Sequence, residues 1–276
     1  MVKSSFLFLG LAGVFAVADI PWFGSAPFAW FGAVQLLNAL APRLPFGRHL
    51  HSLHVLTFEP LALLALGLMR LFPHRGTVSG KGQPLLLVHG YFNHSCVWIL
   101  QKKRLEALGF GPIYTISLGH PFRSIRHYAE KVRAEAERIA KQTGRSDLAL
   151  IGHSMGGLVS CWYATQLAPA GSVTDVVTIA TPLSGTPIAR LGLGPNAREM
   201  EPNSPLVREL QVALSQKRGI RFHHIASKRD HLVIPGSSAA LLTNNHFIFE
   251  DVGHTGLLFS QRVIQKIHAW LQNPCV

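Results

Sequence analysis

One stretch constrains this chain more than any other: Leu148-Ala149-Leu150-Ile151-Gly152-His153-Ser154-Met155-Gly156-Gly157-Leu158-Val159. An apolar run breaks at Gly-His-Ser-Met-Gly and resumes at helical spacing, which reads as strand, sharp turn, helix. Gly152 and Gly156 leave room for a bend that side chains would block. The bend lifts Ser154 to the C-terminal end of the strand. A helix beginning near Met155 then aims its free N–H groups and the positive end of its dipole at that serine. An oxyanion formed on Ser154 would meet donors there, the Met155 N–H among them. Ser154 is therefore a candidate nucleophile.

The chain around this turn alternates strands with helices. Leu85-Leu86-Leu87-Val88 is a short continuous apolar run, the mark of a strand buried on both faces of a parallel sheet. A helix over residues 95–108, closed by Gly109, leads to a strand over 113–116. Residues 124–143 form an amphipathic helix with Ile125, Tyr128, Val132, Ala136 and Ile139 on one face. Further strands are expected over 148–151, 173–180, 221–226 and 246–249, with a closing helix over 256–271. This pattern predicts an α/β fold with a doubly wound, mostly parallel sheet. In such sheets chemistry gathers at the C-terminal ends of the strands, where His89, Ser154, Thr181, Asp230 and His254 fall. Between about 184 and 216 the chain makes an excursion carrying Leu191, Leu193, Met200, Leu206 and Leu210. It reads either as an apolar wall or small lid over the serine, or as a plain connecting helix.

Residues 1–75 are a different material. Apolar residues make up 48% of the whole chain and charged ones only 14%, and the first 75 residues carry much of that bias. Lys3, an apolar run over 6–17 and Ala16-Val17-Ala18 resemble a secretory signal with its cleavage site. The chain stays apolar afterwards, over 21–41 and again over 53–72, with basic Arg43 and Arg48 between. Three arrangements fit: short membrane helices, a removed signal followed by interfacial helices, or an apolar helical subdomain. The polar, Gly-rich residues 74–83 then mark a boundary between residues 1–75 and a catalytic domain over 76–276.

With 26 Lys and Arg against 14 Asp and Glu, the formal charge is +12. No basic run exceeds Lys102-Lys103-Arg104, and none is interleaved with aromatics, so the chain is not read as a nucleic-acid binder. An anionic membrane surface suits the basic, apolar chain better. Cys96, Cys161 and Cys275 are too few and too widely spaced for a zinc site or a disulfide framework, and no Asp-rich calcium loop is present. No cofactor is expected.

Five stretches carry a family resemblance: Leu87-Val88-His89-Gly90-Tyr91, Gly152-His153-Ser154-Met155-Gly156-Gly157, residues 179–187 from Ile179-Ala180-Thr181-Pro182 to Pro187, Ser227-Lys228-Arg229-Asp230, and Val252-Gly253-His254-Thr255-Gly256-Leu257-Leu258. In this order the segment from about 84 to 271 resembles an α/β-hydrolase, and within that fold the compact bacterial lipases and esterases. The resemblance does not extend over residues 1–75. It implies a Ser-Asp-His order: Ser154 as nucleophile, His254 as base and Asp230 as the carboxylate that fixes the imidazole tautomer. Glu250 and Asp251 lie too close to His254 along the chain for that task, and Asp175 stands at a strand's start. The oxyanion hole would use the N–H of Met155 and that of Tyr91, with Phe92 its near alternative. Phe92, Thr181, Pro182 and Leu183 are expected to bind substrate, His89 to brace its loop and His153 to pack. The implied activity is cleavage of carboxylic esters, lipid esters in particular, with thioester cleavage or acyl transfer as the alternative use of the same groups. The expected location is a bacterial inner membrane, or the periplasm or exterior if a signal is removed.

Overall fold

The computed structural model describes residues 80–239 and 245–272. The apolar segment over 1–75, its cleavage site and its membrane helices lie outside the described residues. Among the described residues no helix is long and apolar enough to cross a membrane.

Six strands form one parallel sheet: β1 (Leu85–Val88), β2 (Ile113–Ile116), β3 (Leu148–His153), β4 (Val173–Ile179), β5 (Arg221–Ser227) and β6 (His246–Phe249), in the order β2-β1-β3-β4-β5-β6. The sheet begins at β1, one strand in from an edge, steps outward to β2, returns to β3 beside β1, and then proceeds to the other edge. The order therefore reverses between β1 and β3, where Val88 pairs with Gly152. A reversal of this kind opens a crevice at the strands' C-terminal ends, the ordinary place for a site in such sheets. All four residues of β1 are fully buried. Burying side chains like these stabilises by about 1.5–3 kcal/mol each, and burial on both faces is why β1 reads as an unbroken apolar run.

Alternate residues face two cores. Leu86, Val88, Leu150 and Val176 pack with Ile125, Val132, Leu158 and Leu210 from helices α2 (Ile125–Thr143), α3 (Met155–Trp162) and α5 (Pro205–Gln216). Leu85, Leu87, Ile151 and Ile225 pack with Leu105 from α1 (Ile99–Ala107) and with Val263, Ile264 and Ile267 from α6 (Gln261–Gln272). Helix α2 starts where the sequence places it. The Ser124 hydroxyl caps it by accepting from the His127 N–H at 3.1 Å, and Gly144 ends it at φ 69°.

Two helices depart from expectation. The first turn of the 95–108 helix is 3-10, over Ser95–Trp98. The closing helix is also split: Gly256–Leu258 makes one 3-10 turn and α6 begins only at Gln261. Side chains of α1 explain the break. Buried Gln101 donates to the Leu257 and Leu258 carbonyls, and Arg104 donates to the Phe259 carbonyl at 2.7 Å. Carbonyls satisfied from outside no longer require a continuous helix.

Candidate active site

Ser154 sits between β3 and α3 with φ 56° and ψ −128°. A residue with a side chain adopts such a conformation only where its surroundings impose it, at a cost of about 1–3 kcal/mol. Here the Ser154 N–H donates to the Ile179 carbonyl at 2.8 Å, and the Ser154 carbonyl accepts from the Gly157 N–H at 3.0 Å. A Cβ on Gly152 would lie 2.5 Å from the Gly156 oxygen and the Gly157 Cα, so the turn closes only without one. The loop after β1 runs directly against the serine: a Cβ on Gly90 would lie 2.8 Å from Ser154 Cβ.

His254 and Asp230 are both buried and in direct contact. His254 Nδ1 donates to Asp230 Oδ2 at 2.8 Å and to Oδ1 at 3.0 Å. Asp230 Oδ1 also accepts from the N–H groups of Leu232 and Val233, at 2.9 and 2.8 Å. Burial would raise the pKa of this carboxyl, but His254 and the two backbone N–H groups outweigh it and hold the pKa below the usual carboxylate value. The carboxylate is thus ionised and fixes the proton of His254 on Nδ1, so that Nε2 carries the ring's lone pair.

His153, the residue before Ser154, packs its ring 4.8 Å from that of His254, and its Nε2 donates to the His254 carbonyl at 3.2 Å. Burial and the nearby His254 push its pKa down to about 3, so it is neutral. His89 braces its loop as expected: its Nε2 accepts from the Leu118 N–H at 3.0 Å and its Nδ1 donates to the Gly90 carbonyl at 2.9 Å. The rival carboxylates have other partners. Asp251 pairs with Arg262, Glu250 with Lys228, and Asp175 with Arg221 and His223.

The other candidate residues divide. Met155 is the first residue of α3, where backbone N–H groups have no partner within the helix. Tyr91 and Phe92 lie on the loop over the serine, and Phe92, at φ 53°, is 44% exposed. Thr181, Pro182 and Leu183 are buried just past β4, with the Thr181 hydroxyl against Gly157 and Leu183 in the core on the α2 side.

The excursion contains a 3-10 turn at Pro187–Leu191, α4 (Pro195–Glu199) and α5. It is tied to two loops around the serine and to the first residue of α3. Thr186 Oγ1 donates to the Leu232 carbonyl at 2.7 Å and accepts from the Ile234 N–H at 3.2 Å, beside Asp230. The Tyr91 hydroxyl bonds both backbone groups of Leu193, and Asn196 Nδ2 reaches Met155 Sδ at 3.4 Å. Asn196 and Gln101 were not legible as contributors to the site, because each acts through a partner far away in sequence and sits in no local motif. Thr186 lies in the 179–187 stretch that carries the resemblance, but its bonds to Leu232 and Ile234 were not legible there.

The family described as the alpha/beta hydrolase family matches residues 85–231, over half of the chain. A search of curated proteins finds no match. Among solved structures, the mature form of lipase BlEst2 from Bacillus licheniformis is similar at 14% identity and TM-score 0.58, covering 73% of this chain and 95% of that one. Lipase B from Aspergillus fumigatus is 19% identical at TM-score 0.58, covering 69% of this chain and 53% of its own. An N-formylmaleamic acid deformylase from Pseudomonas putida is 15% identical at TM-score 0.50, covering 70% of this chain and 94% of that one. At these identities the likeness shows the fold. The family match, the six-stranded parallel sheet and the strained serine turn at its switch point agree, and the chain belongs to the α/β-hydrolase family.

Proposed function

We propose that this protein is a serine hydrolase of carboxylic esters, with lipid esters as its substrate class. The observation that carries the reading is the buried, doubly bonded Asp230–His254 pair packed against His153, the residue that precedes the strained Ser154. Ser154 Oγ attacks the ester carbonyl while His254 Nε2 takes its proton. Asp230 keeps the imidazole in the required tautomer and stabilises the imidazolium as it forms. The N–H groups of Met155 and Tyr91 hold the oxyanion. His254 then returns its proton to the leaving alcohol, the acyl group remains on Ser154 Oγ, and a water deprotonated by His254 releases the acid. Phe92 forms the rim against which an acyl chain lies, and Thr181, Pro182 and Leu183 back the wall behind the serine.

The lipid half of the proposal rests on chemistry around the site. Phe92, Leu191 and Leu193 are large apolar residues at 44%, 83% and 65% exposure, and the chain as a whole is basic. Its apolar N-terminal 75 residues would hold the enzyme at a bacterial inner membrane, where lipid esters lie.

A fluorophosphonate probe should label the intact protein and fail to label Ser154→Ala. Absence of labelling in folded wild-type protein would refute the hydrolase reading. Hydrolysis rates across p-nitrophenyl esters of increasing acyl length should rise beyond short chains, whereas a steep preference for acetate would refute the lipid-ester assignment.

A further inference from the structure

We propose that residues 192–197 set the geometry of the oxyanion hole, with Tyr91 and Asn196 acting as positioning residues. The inference deepens the ester-hydrolase reading and rests on it. An oxyanion hole works only when its donors stand about 2.7–3.1 Å from the developing charge, so errors well below 1 Å matter. The Met155 N–H has a helix behind it. The Tyr91 N–H does not: it belongs to a loop, next to a residue at positive φ, in neither strand nor helix. Within the loop, the Gly90 carbonyl of the same peptide accepts from His89 Nδ1 at 2.9 Å and from the Asn93 N–H at 3.3 Å, and the Tyr91 side chain adds a hold from outside the loop.

The Tyr91 hydroxyl supplies that hold. It donates to the Leu193 carbonyl at 2.7 Å and accepts from the Leu193 N–H at 2.8 Å. Two bonds to one residue's backbone fix the ring against both tilt and slide. Gly192 passes close by, since a Cβ there would lie 3.5 Å from the same hydroxyl. Three residues beyond Leu193, the fully buried Asn196 donates to the Pro121 carbonyl at 2.8 Å and to Met155 Sδ at 3.4 Å. Its Oδ1 accepts from the Ala197 N–H at 3.1 Å, which fixes which way the amide faces. One short segment therefore grips the side chains of both residues whose N–H groups would face the oxyanion. The segment is itself anchored on either side. Thr186 is bonded to the loop after Asp230, and the Glu199 carboxylate accepts from the Ile125 N–H at 2.5 Å.

Tyr91→Phe and Asn196→Ala, each in the full chain, test this with p-nitrophenyl butyrate as substrate and phenylboronic acid as the inhibitor. The boronate forms on the serine oxygen and places a tetrahedral oxygen in the hole. Each variant should lose about tenfold in kcat with KM within about twofold of wild type, and boronate affinity should fall by a similar factor. The pH profile should not move, because His254 and Asp230 keep their partners. A folded Tyr91→Phe whose kcat and boronate affinity match wild type overturns the proposal, as does a variant that only melts earlier. If Asn196→Ala unfolds because the Pro121 carbonyl loses its donor, Tyr91→Phe alone decides. Ser154→Ala separates the two levels. Turnover retained there overturns the ester-hydrolase reading and this inference with it. Turnover lost there but unchanged in Tyr91→Phe overturns this inference alone.

Discussion

Asp230 concentrates several demands on two oxygens: one bonds His254 alone, the other is shared among His254 and the N–H groups of Leu232 and Val233. Asp230→Asn preserves the shape but offers an amide where His254 needs an anion, so the imidazole turns to the wrong tautomer. Steady-state kinetics should show kcat down roughly 10⁴-fold with KM little changed. The same group makes stability depend on acid. Its pKa in the folded protein lies below the unfolded carboxylate value, so between the two the unfolded chain binds more protons. Its contribution is complete above about pH 4 and is lost as the pH falls through the lower, folded value. Urea titrations should therefore show the gap between wild type and Asp230→Asn narrowing below about pH 4. Ser154 and His254 were legible because each sits in a short local pattern of glycines. Asp230 was legible from its place just after the 221–226 strand, in the Ser-Asp-His order and in the Ser227–Asp230 stretch that carries the resemblance. Its two backbone donors, which come from the chain immediately after it, were not.

At the scale of elements, strands were easier to read than helices. A strand buried on both faces, such as β1, is apolar at every position, whereas the edge strands β2 and β6 match 113–116 and 246–249 with His246 and Phe247 exposed on β6. Helix α1 shows the opposite case. Its sequence, Ile-Leu-Gln-Lys-Lys-Arg-Leu-Glu-Ala, is mostly polar, yet Gln101 and Lys102 are buried because Gln101 serves the turn after His254. Periodicity cannot reveal a polar side chain that is buried for the sake of carbonyls over 150 residues away in sequence. The same cause splits the expected 256–271 helix. Gln101→Leu should leave the Leu258 carbonyl without its side-chain donor and destabilise the protein by about 1–3 kcal/mol, measurable by denaturant unfolding. The excursion is a related case. Its apolar residues suggested a wall or a lid, but the bonds from Thr186, Tyr91 and Asn196 depend on side chains whose partners lie elsewhere in the chain. Thr186→Val removes two of those bonds. Amide hydrogen exchange over 186–194 should then accelerate, while exchange in β3 stays slow.

Across the described residues, two core histidines are held in a form that acid disfavours. His153 and His224 are buried, and burial with a neighbouring histidine lowers each pKa to about 3. Below pH 6.5 the unfolded chain takes up protons that these two groups refuse in the native state. Stability should therefore fall, on the order of 1 kcal/mol per pH unit for each, as the pH drops from 6.5 toward 3. Melting curves at pH 7.5 and 5 should differ more for wild type than for His153→Gln or His224→Gln. At the opposite end of the sheet from the serine, the fully buried Asp175 accepts from Arg221, His223 and Thr174. At the sheet's β6 edge, Lys266 lies over the rings of Phe247 and Trp270, and Arg262 over Phe249, along a groove of about 310 Å³. Cations along a four-residue edge discourage pairing with another chain's strand. The backbone at Ser154 has a consequence of another kind. Its positive φ is a cost carried by every folded copy, whether or not it meets a substrate. Ser154→Ala deletes the hydroxyl and keeps the cost, whereas Ser154→Gly deletes both. Two equally inactive proteins should thus differ in durability, the glycine form melting roughly 2–4 °C above the alanine form. At this one position, reactivity and durability ask for different residues.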